Sequence, residues 1–184
     1  MNLNEIERRK IAEAINENLE AYCSNFDSLK YPEEPYIKWK KAFANPCVDN
    51  KNFLKEAFEW KYGHWGKDNY PESHKTIISK FCNNWEEFVE KNKFDMKDIF
   101  DYWEKVLKDH QNFVTIAFIT HLIHSENIPL IDQNTFRSMN YILKKVKNNS
   151  FSENKPSCID DLKEYTDFFN SIVPLINADG DKRR

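Results

Sequence analysis

From Phe113 to His124 almost every position is apolar, and the run has no continuous polar face. A helix that is apolar all round is buried on all sides, so 113–124 is predicted to be the central helix of the fold. Elsewhere apolar residues recur at intervals of three and four, the spacing of helices with one buried stripe. Ile6, Ile11, Ala14, Ile15 and Leu19 set such a stripe over 4–19, which Tyr22 and Phe26 extend. Asn4, with Glu7 three residues on, has the wording of a capping box. Two prolines between Ser28 and Pro35 end that helix.

Further helices are predicted over 36–44, 52–62, 73–83 with a continuation over 84–92, 96–110, 134–146 and 162–172. Their caps are read as Ser73, Asp95, Asp132 and Asp160 or Asp161. Gly63 is the expected left-handed residue after the 52–62 helix. Residues 148–156 read as a polar loop and 177–184 as a disordered tail. The expectation is an all-α protein of about eight helices around 113–124, with one compact domain over 1–176.

Composition sharpens this picture. Only three glycines occur, Gly63, Gly66 and Gly180. A β-rich chain of 184 residues needs more of them for its turns and bulges. Aromatic residues make up 15% of the chain, so an aromatic-rich core is expected. The net charge of -3 excludes a polycation that binds nucleic acid by bulk charge, but not a local basic patch. Residues 1–20 are charged throughout and no apolar run reaches membrane-spanning length, so neither a signal peptide nor a membrane association is expected. Cys23, Cys47, Cys82 and Cys158 are scattered without a Cys-x-x-Cys pair, which fits reduced thiols in a cytoplasmic protein.

Candidate chemistry gathers between Phe113 and Tyr141. Asp132 follows Ile128-Pro129-Leu130-Ile131 and opens a helix. It can cap the orphan N–H groups there, or act as a rigidly held carboxylate that stabilises developing positive charge. His121 and His124 lie three apart on one helix face. They lack a third ligand, so no metal is expected, and they read as hydrogen-bonded binding residues near Asp132. Trp60-Lys61-Tyr62-Gly63-His64-Trp65-Gly66-Lys67 mixes cations with rings. Lys61 and His64 there are candidates for holding phosphate, against the alternative of a helix end with core aromatics. Arg137, Lys144, Lys145 and Lys147 share a segment without an acid, which can track a nucleic-acid backbone or form a solvated face. No P-loop, dinucleotide fingerprint or nucleophile elbow occurs, and no cofactor is expected.

Residues 118–142 resemble the C-terminal half of the core motif of the helix-hairpin-helix DNA glycosylase superfamily. There a helix leads into a proline, apolar residues and the catalytic aspartate, with a further apolar residue beyond. The aligned positions are Pro129, Asp132, Phe136 and Arg137. A second resemblance is to a group of uncharacterised bacterial proteins, through Trp60-Lys61-Tyr62-Gly63 and Phe118-Ile119-Thr120-His121 to His124. That group tends to carry lysine where this chain has His121. The superfamily's glycine-rich hairpin has no counterpart in Lys108-Asp109-His110-Gln111-Asn112, and no cysteine cluster for an iron–sulfur site is present. The resemblance therefore implies the fold more than the reaction: a nucleic-acid-associated helical protein with DNA as partner. In an enzymatic version Asp132 would serve N-glycosidic hydrolysis. The alternative is a helical protein–protein interaction module, or a defence- or phage-linked accessory factor, without enzymatic activity.

Overall fold

The computed structural model describes residues 3–24, 28–108, 112–147 and 155–176. It is all-α, with nine α-helices and no strand among the described residues. The helices are α1 (Glu5–Asn16), α2 (Leu19–Ser24), α3 (Glu33–Phe43), α4 (Lys51–Lys61), α5 (Glu72–Glu90), α6 (Met96–Leu107), α7 (Phe113–Ile123), α8 (Gln133–Lys147) and α9 (Ile159–Ile172). Short 3-10 turns cover Val48–Asn50 and Val173–Leu175. No helix among the described residues is long and apolar enough to cross a membrane. Residues 148–154 of the expected 148–156 loop, the tail over 177–184, Phe26 and the Tyr22 side chain fall outside what is described.

Two units form, residues 1–26 with 131–184, and residues 27–130. In the first, α1 packs on α8, α9 and the Val173–Leu175 turn. Its core includes Ile11, Phe136, Met139, Leu143, Leu162, Phe168 and Ile172. Asn4 caps α1 as its wording predicts: Glu7 N–H donates to the Asn4 side chain and Asn4 N–H to the Glu7 carboxylate, both at 2.9 Å. The expected stripe is only partly buried, because Ile6 is 68% exposed. Helix α1 also stops early, where the Asn18 amide donates to Ala14 O at 2.8 Å, and α2 starts afresh at Leu19.

In the second unit the helices pack in a closed circuit, α3 on α4, α4 on α5, α5 on α6, α6 on α7 and α7 back on α3. Every residue of α7 except Val114 is buried, as its unbroken apolar run requires. Rings fill the space between the helices. Phe58 meets Phe81 at 4.4 Å between centroids, Phe81 meets Trp103 at 4.1 Å, and Phe58 meets Phe118 at 5.6 Å. Trp39, Phe43, Phe58, Phe81, Trp85, Trp103 and Phe118 are fully buried. Two of the buried indoles take polar partners, Trp60 Nε1 donating to Pro32 O at 3.0 Å and Trp85 Nε1 to Cys47 O at 2.8 Å, whereas Nε1 of Trp39 and of Trp103 has no hydrogen-bond partner among the described residues.

Several helix limits differ from the expected ones for physical reasons. Helix α3 starts three residues before Tyr36, because Pro35 lies in the first turn, where its missing N–H costs nothing. The 73–83 and 84–92 segments are one helix, α5. The Asn83-Asn84 pair does not break it, since the Asn84 amide donates back to Lys80 O at 2.8 Å. Ser73 lies inside its first turn, behind Pro71. Asp95 precedes α6 without a side-chain capping bond, and that helix ends at Lys108 with φ 54. Residues 109–111, where a glycosylase hairpin would lie, are outside the described residues.

Because Phe118 is fully enclosed by rings, Phe118→Ala is expected to cost about 3–5 kcal/mol of unfolding free energy. Tyr141→Ala, at a side chain 59% exposed, is expected to change it by less than about 0.5 kcal/mol. Urea denaturation of both variants checks the contrast.

Candidate functional site

In the first unit the chain turns into α8 at Asp132. Its Oδ1 accepts from Asn134 N–H at 2.7 Å and Thr135 N–H at 2.8 Å. Thr135 reciprocates, its Oγ1 accepting from Asp132 N–H at 2.9 Å. Three donors around the helix start are thereby satisfied, and the carboxylate faces the positive end of the helix dipole. Behind the cap stands Tyr165 of α9, hydrogen-bonded to Thr135; burial, and then the Asp132 charge, push its phenol up to about 12. Asp132 is half-buried and rigidly held, with its Oδ1 committed to the backbone.

Arg137 and Lys144 project from the exposed side of α8. With the Gln133 amide oxygen turned toward it, the Arg137 guanidinium donates to that oxygen at 2.6 and 2.5 Å. The contact orients Arg137 and leaves its charge unneutralised. Tyr141, between the two cations, is 59% exposed, and Lys145 Nζ lies 4.5 Å from its ring centroid.

In the second unit, His121 is buried in α7 with both ring nitrogens occupied. Nδ1 lies 2.6 Å from Ile128 O, and Nε2 is hydrogen-bonded to the Tyr36 hydroxyl. A carbonyl only accepts, so Nδ1 carries the proton and Nε2 accepts from Tyr36. Burial drives the imidazole pKa down to about 4, and the charges of Lys40 and Lys61 push the same way. Burial also raises the Tyr36 phenol well above its ordinary range. The pair is neutral and stays so across physiological pH. Lys61 is the other candidate nearby; its Nζ lies 5.7 Å from the Phe118 ring centroid. His124 points elsewhere, its Nε2 donating to Phe94 O. The two histidines thus have separate partners, and no group of three metal-ligating side chains occurs among the described residues.

His64 sits in the loop after α4, where Gly63 adopts the expected left-handed conformation with φ 69. A side chain at that position would also collide with Lys30. His64 Nε2 is hydrogen-bonded to Nδ1 of His74, from α5, at 2.8 Å. The two rings lie in a stack of their own: His64 on Tyr70 at 4.8 Å and His74 on Tyr62 at 4.1 Å. Tyr62 in turn holds Thr115 Oγ1 at 2.9 Å, and Tyr70 donates to Glu59 at 2.8 Å. Burial lowers the His64 pKa, and the positive charges of His74, Lys67 and Lys30 lower it further, against Glu59.

His74, Tyr70, Glu59 and Tyr36 are the site residues that pattern reading missed. His74 is ten positions from His64 and on another element, so no spacing rule connects them. Gly63, where a side chain would meet Lys30 and Tyr31, is the one glycine of that loop tied to a close approach.

The comparisons find no match for this chain among protein-family models, curated proteins or solved structures.

Two measurements follow from these sites. A buried base whose folded pKa lies below the unfolded value of about 6.5 contributes its full stability above that pH. The unfolded chain then takes up the proton first, so stability falls as pH drops from about 6.5 toward about 4. His121 is expected to account for a loss of up to about 3 kcal/mol over this window. The wild type's advantage over His121→Phe in urea titrations should shrink accordingly, and a constant advantage would refute the assignment. At Asp132, replacement by Asn is expected to keep the melting temperature because the amide oxygen accepts the same bonds, whereas Ala should cost about 1 kcal/mol.

Proposed function

We propose that the protein binds nucleic acid non-catalytically through the exposed face of α8. The observation that carries this reading is a basic stripe with a solvent-exposed ring inside it. Arg137, Tyr141, Lys144 and Lys145 are exposed, and three- and four-residue spacing puts them on one side of the helix. Phe136, Met139 and Leu143 are buried on the other. Residues 133–147 contain no acid. Among the described residues none of Arg137, Lys144 and Lys145 is held in a salt bridge. From Arg137 to Lys144 the stripe runs about 10 Å along the axis, room for more than one phosphate contact. Tyr141 offers a ring for stacking an unpaired base, and such a contact tolerates any sequence.

The resemblance of residues 118–142 to the DNA glycosylase core supports the same class of partner. For chemistry the support is thin. Asp132 Oδ1 is engaged by two backbone donors, and the wording of the superfamily's hairpin is absent from the sequence. The mechanism is therefore one of attachment. Cations displace condensed counterions from the backbone, which makes affinity steeply dependent on salt.

Fluorescence anisotropy with labelled single-stranded and duplex DNA over a range of salt tests this. Lys144→Ala should reduce the slope of log affinity against log salt by about one contact's worth. The double charge reversal Lys144→Glu with Lys145→Glu should abolish binding. Tyr141→Ala should weaken single-strand binding by about 1–3 kcal/mol. Absence of binding at low salt, or undiminished binding by the charge-reversed protein, would remove the reading and leave this face to a protein partner.

A further inference from the structure

The second unit carries a pocket of about 630 Å3 lined by α4, the loop after it and the first two-thirds of α5. It has the size of a small-molecule site. Its charged lining is Lys55, Lys67 and Lys75 against Glu59 and Asp68. Glu59 is already engaged, accepting from the Tyr70 hydroxyl at 2.8 Å and lying 3.7 Å from Lys55 Nζ. Lys67 donates to a neutral acceptor, Gly63 O, at 3.0 Å, which orients the ammonium without neutralising it. Lys75 pairs with Glu72 at 3.3 Å, a carboxylate 83% exposed, so solvent screens that attraction. Each ammonium carries three donors, and these contacts use only part of them. Ser79 and Asn83 add neutral hydrogen-bonding groups from α5, and Ile78 adds an apolar patch.

We infer that this pocket binds a small phosphorylated molecule, with Lys55, Lys67 and Lys75 on the phosphate oxygens and Ile78 and Tyr70 against its apolar part. The site is independent of the α8 reading, since it uses other residues in the other unit. The His64–His74 pair adjoins the pocket through Tyr70 and Lys67, and the His64 pKa is depressed by burial and by the surrounding cations. His64 thus feels the cations around it, whereas burial and the charges of Glu59 and Glu72 push the Tyr70 phenol up to about 12; an anion bound beside Lys67 would offset the cations at His64. The groups acting on His64 are His74, Lys67, Lys30 and Glu59. His64 therefore serves as a reporter of occupancy: phosphate in the pocket should raise its pKa.

The test is a titration of the full chain with inorganic pyrophosphate, followed through the imidazole signals of His64 and His74 by NMR. Saturable shifts are expected, with an apparent His64 pKa raised by about half a unit when pyrophosphate is bound. Lys55→Ala with Lys75→Ala, at one exposed and one half-buried side chain that leave the Lys67 contact intact, should weaken binding about tenfold or more. Lys144→Ala on α8 should leave it unchanged. Adenosine 5′-monophosphate against a 5′-phosphorylated oligonucleotide then separates a free small molecule from a strand end, and the proposal requires the monophosphate to bind with equal or higher affinity. No saturable shift up to about 10 mM, an unmoved His64 pKa, or equal binding by the double variant would each overturn it. Strand-end binding without monophosphate binding would do the same.

Discussion

One buried imidazole fixes the geometry on which the second unit depends. His121 sits where solvent does not reach, and its two nitrogens need opposite partners, a carbonyl for Nδ1–H and a donor for Nε2. Ile128 O and the Tyr36 hydroxyl supply them. Each bond is local in effect but long-range in sequence. Tyr36 comes from α3, 85 residues away, so α3 and α7 cannot slide past each other without leaving a polar group unpaired in the core. Ile128 stands just before Pro129, so the same ring also fixes the exit of the chain from α7. Removing either partner would strand a buried donor or acceptor, which costs more than the hydrogen bond returns.

The rings around that imidazole turn a positional constraint into a packed core. Tyr36 stacks on Trp60 at 4.9 Å, Trp60 on Phe118 at 6.2 Å, and the series continues through Phe58 to Phe81 and Trp103. Flat side chains pack efficiently in few orientations, so a core of this kind specifies crossing geometry more tightly than aliphatic residues would. The loop after α4 inherits its position from the same series. Trp60 anchors its start, Gly63 supplies the left-handed turn, and His64 is delivered against His74. The order of causes runs from a buried ring system to a pinned loop to a polar pocket beside it.

Periodicity made the helices legible because a 3.6-residue repeat is a local property. Helix α7 stood out through its lack of a polar face, and the cap at Asn4 and the turn at Gly63 followed from short-range chemistry. Boundaries were harder where one residue type serves two ends. Pro35 looks like a terminator, yet it lies in the first turn of α3, and the continuation past Asn84 runs as one helix with the segment before it. Asp161 lies inside α9 and reaches back to Ser157 N–H at 2.7 Å and Cys158 N–H at 3.1 Å, which places the helix start at Ile159. The candidate sites were legible only as separate pieces. His64 was readable as chemistry on a loop, but His74 and Tyr70 meet it, and Glu59 reaches it through Tyr70, by contacts that no spacing encodes.

Only part of the charge pattern of α8 is accounted for by helix stability. Asp132 at the start and Lys144, Lys145 and Lys147 in the last turn all complement the helix dipole. Each such cation contributes about 0.3–1 kcal/mol, and only within that turn. Lys144 and Lys147, three apart, repel by about 0.2–0.5 kcal/mol, which offsets part of the gain. Arg137 and Tyr141 lie outside this account. Arg137 is in the N-terminal half of the helix, nearer the positive end of the dipole, where a cation is disfavoured. Tyr141 keeps a large ring in water instead of adding it to the buried face. Folding gains only small local contacts from either choice, the Arg137–Gln133 hydrogen bonds and the Lys145 ammonium near the Tyr141 ring. Under the proposed reading an anionic, ring-bearing partner laid along the helix would be stabilised by both, which is why that proposal rests on the face as a whole rather than on any single lysine in it.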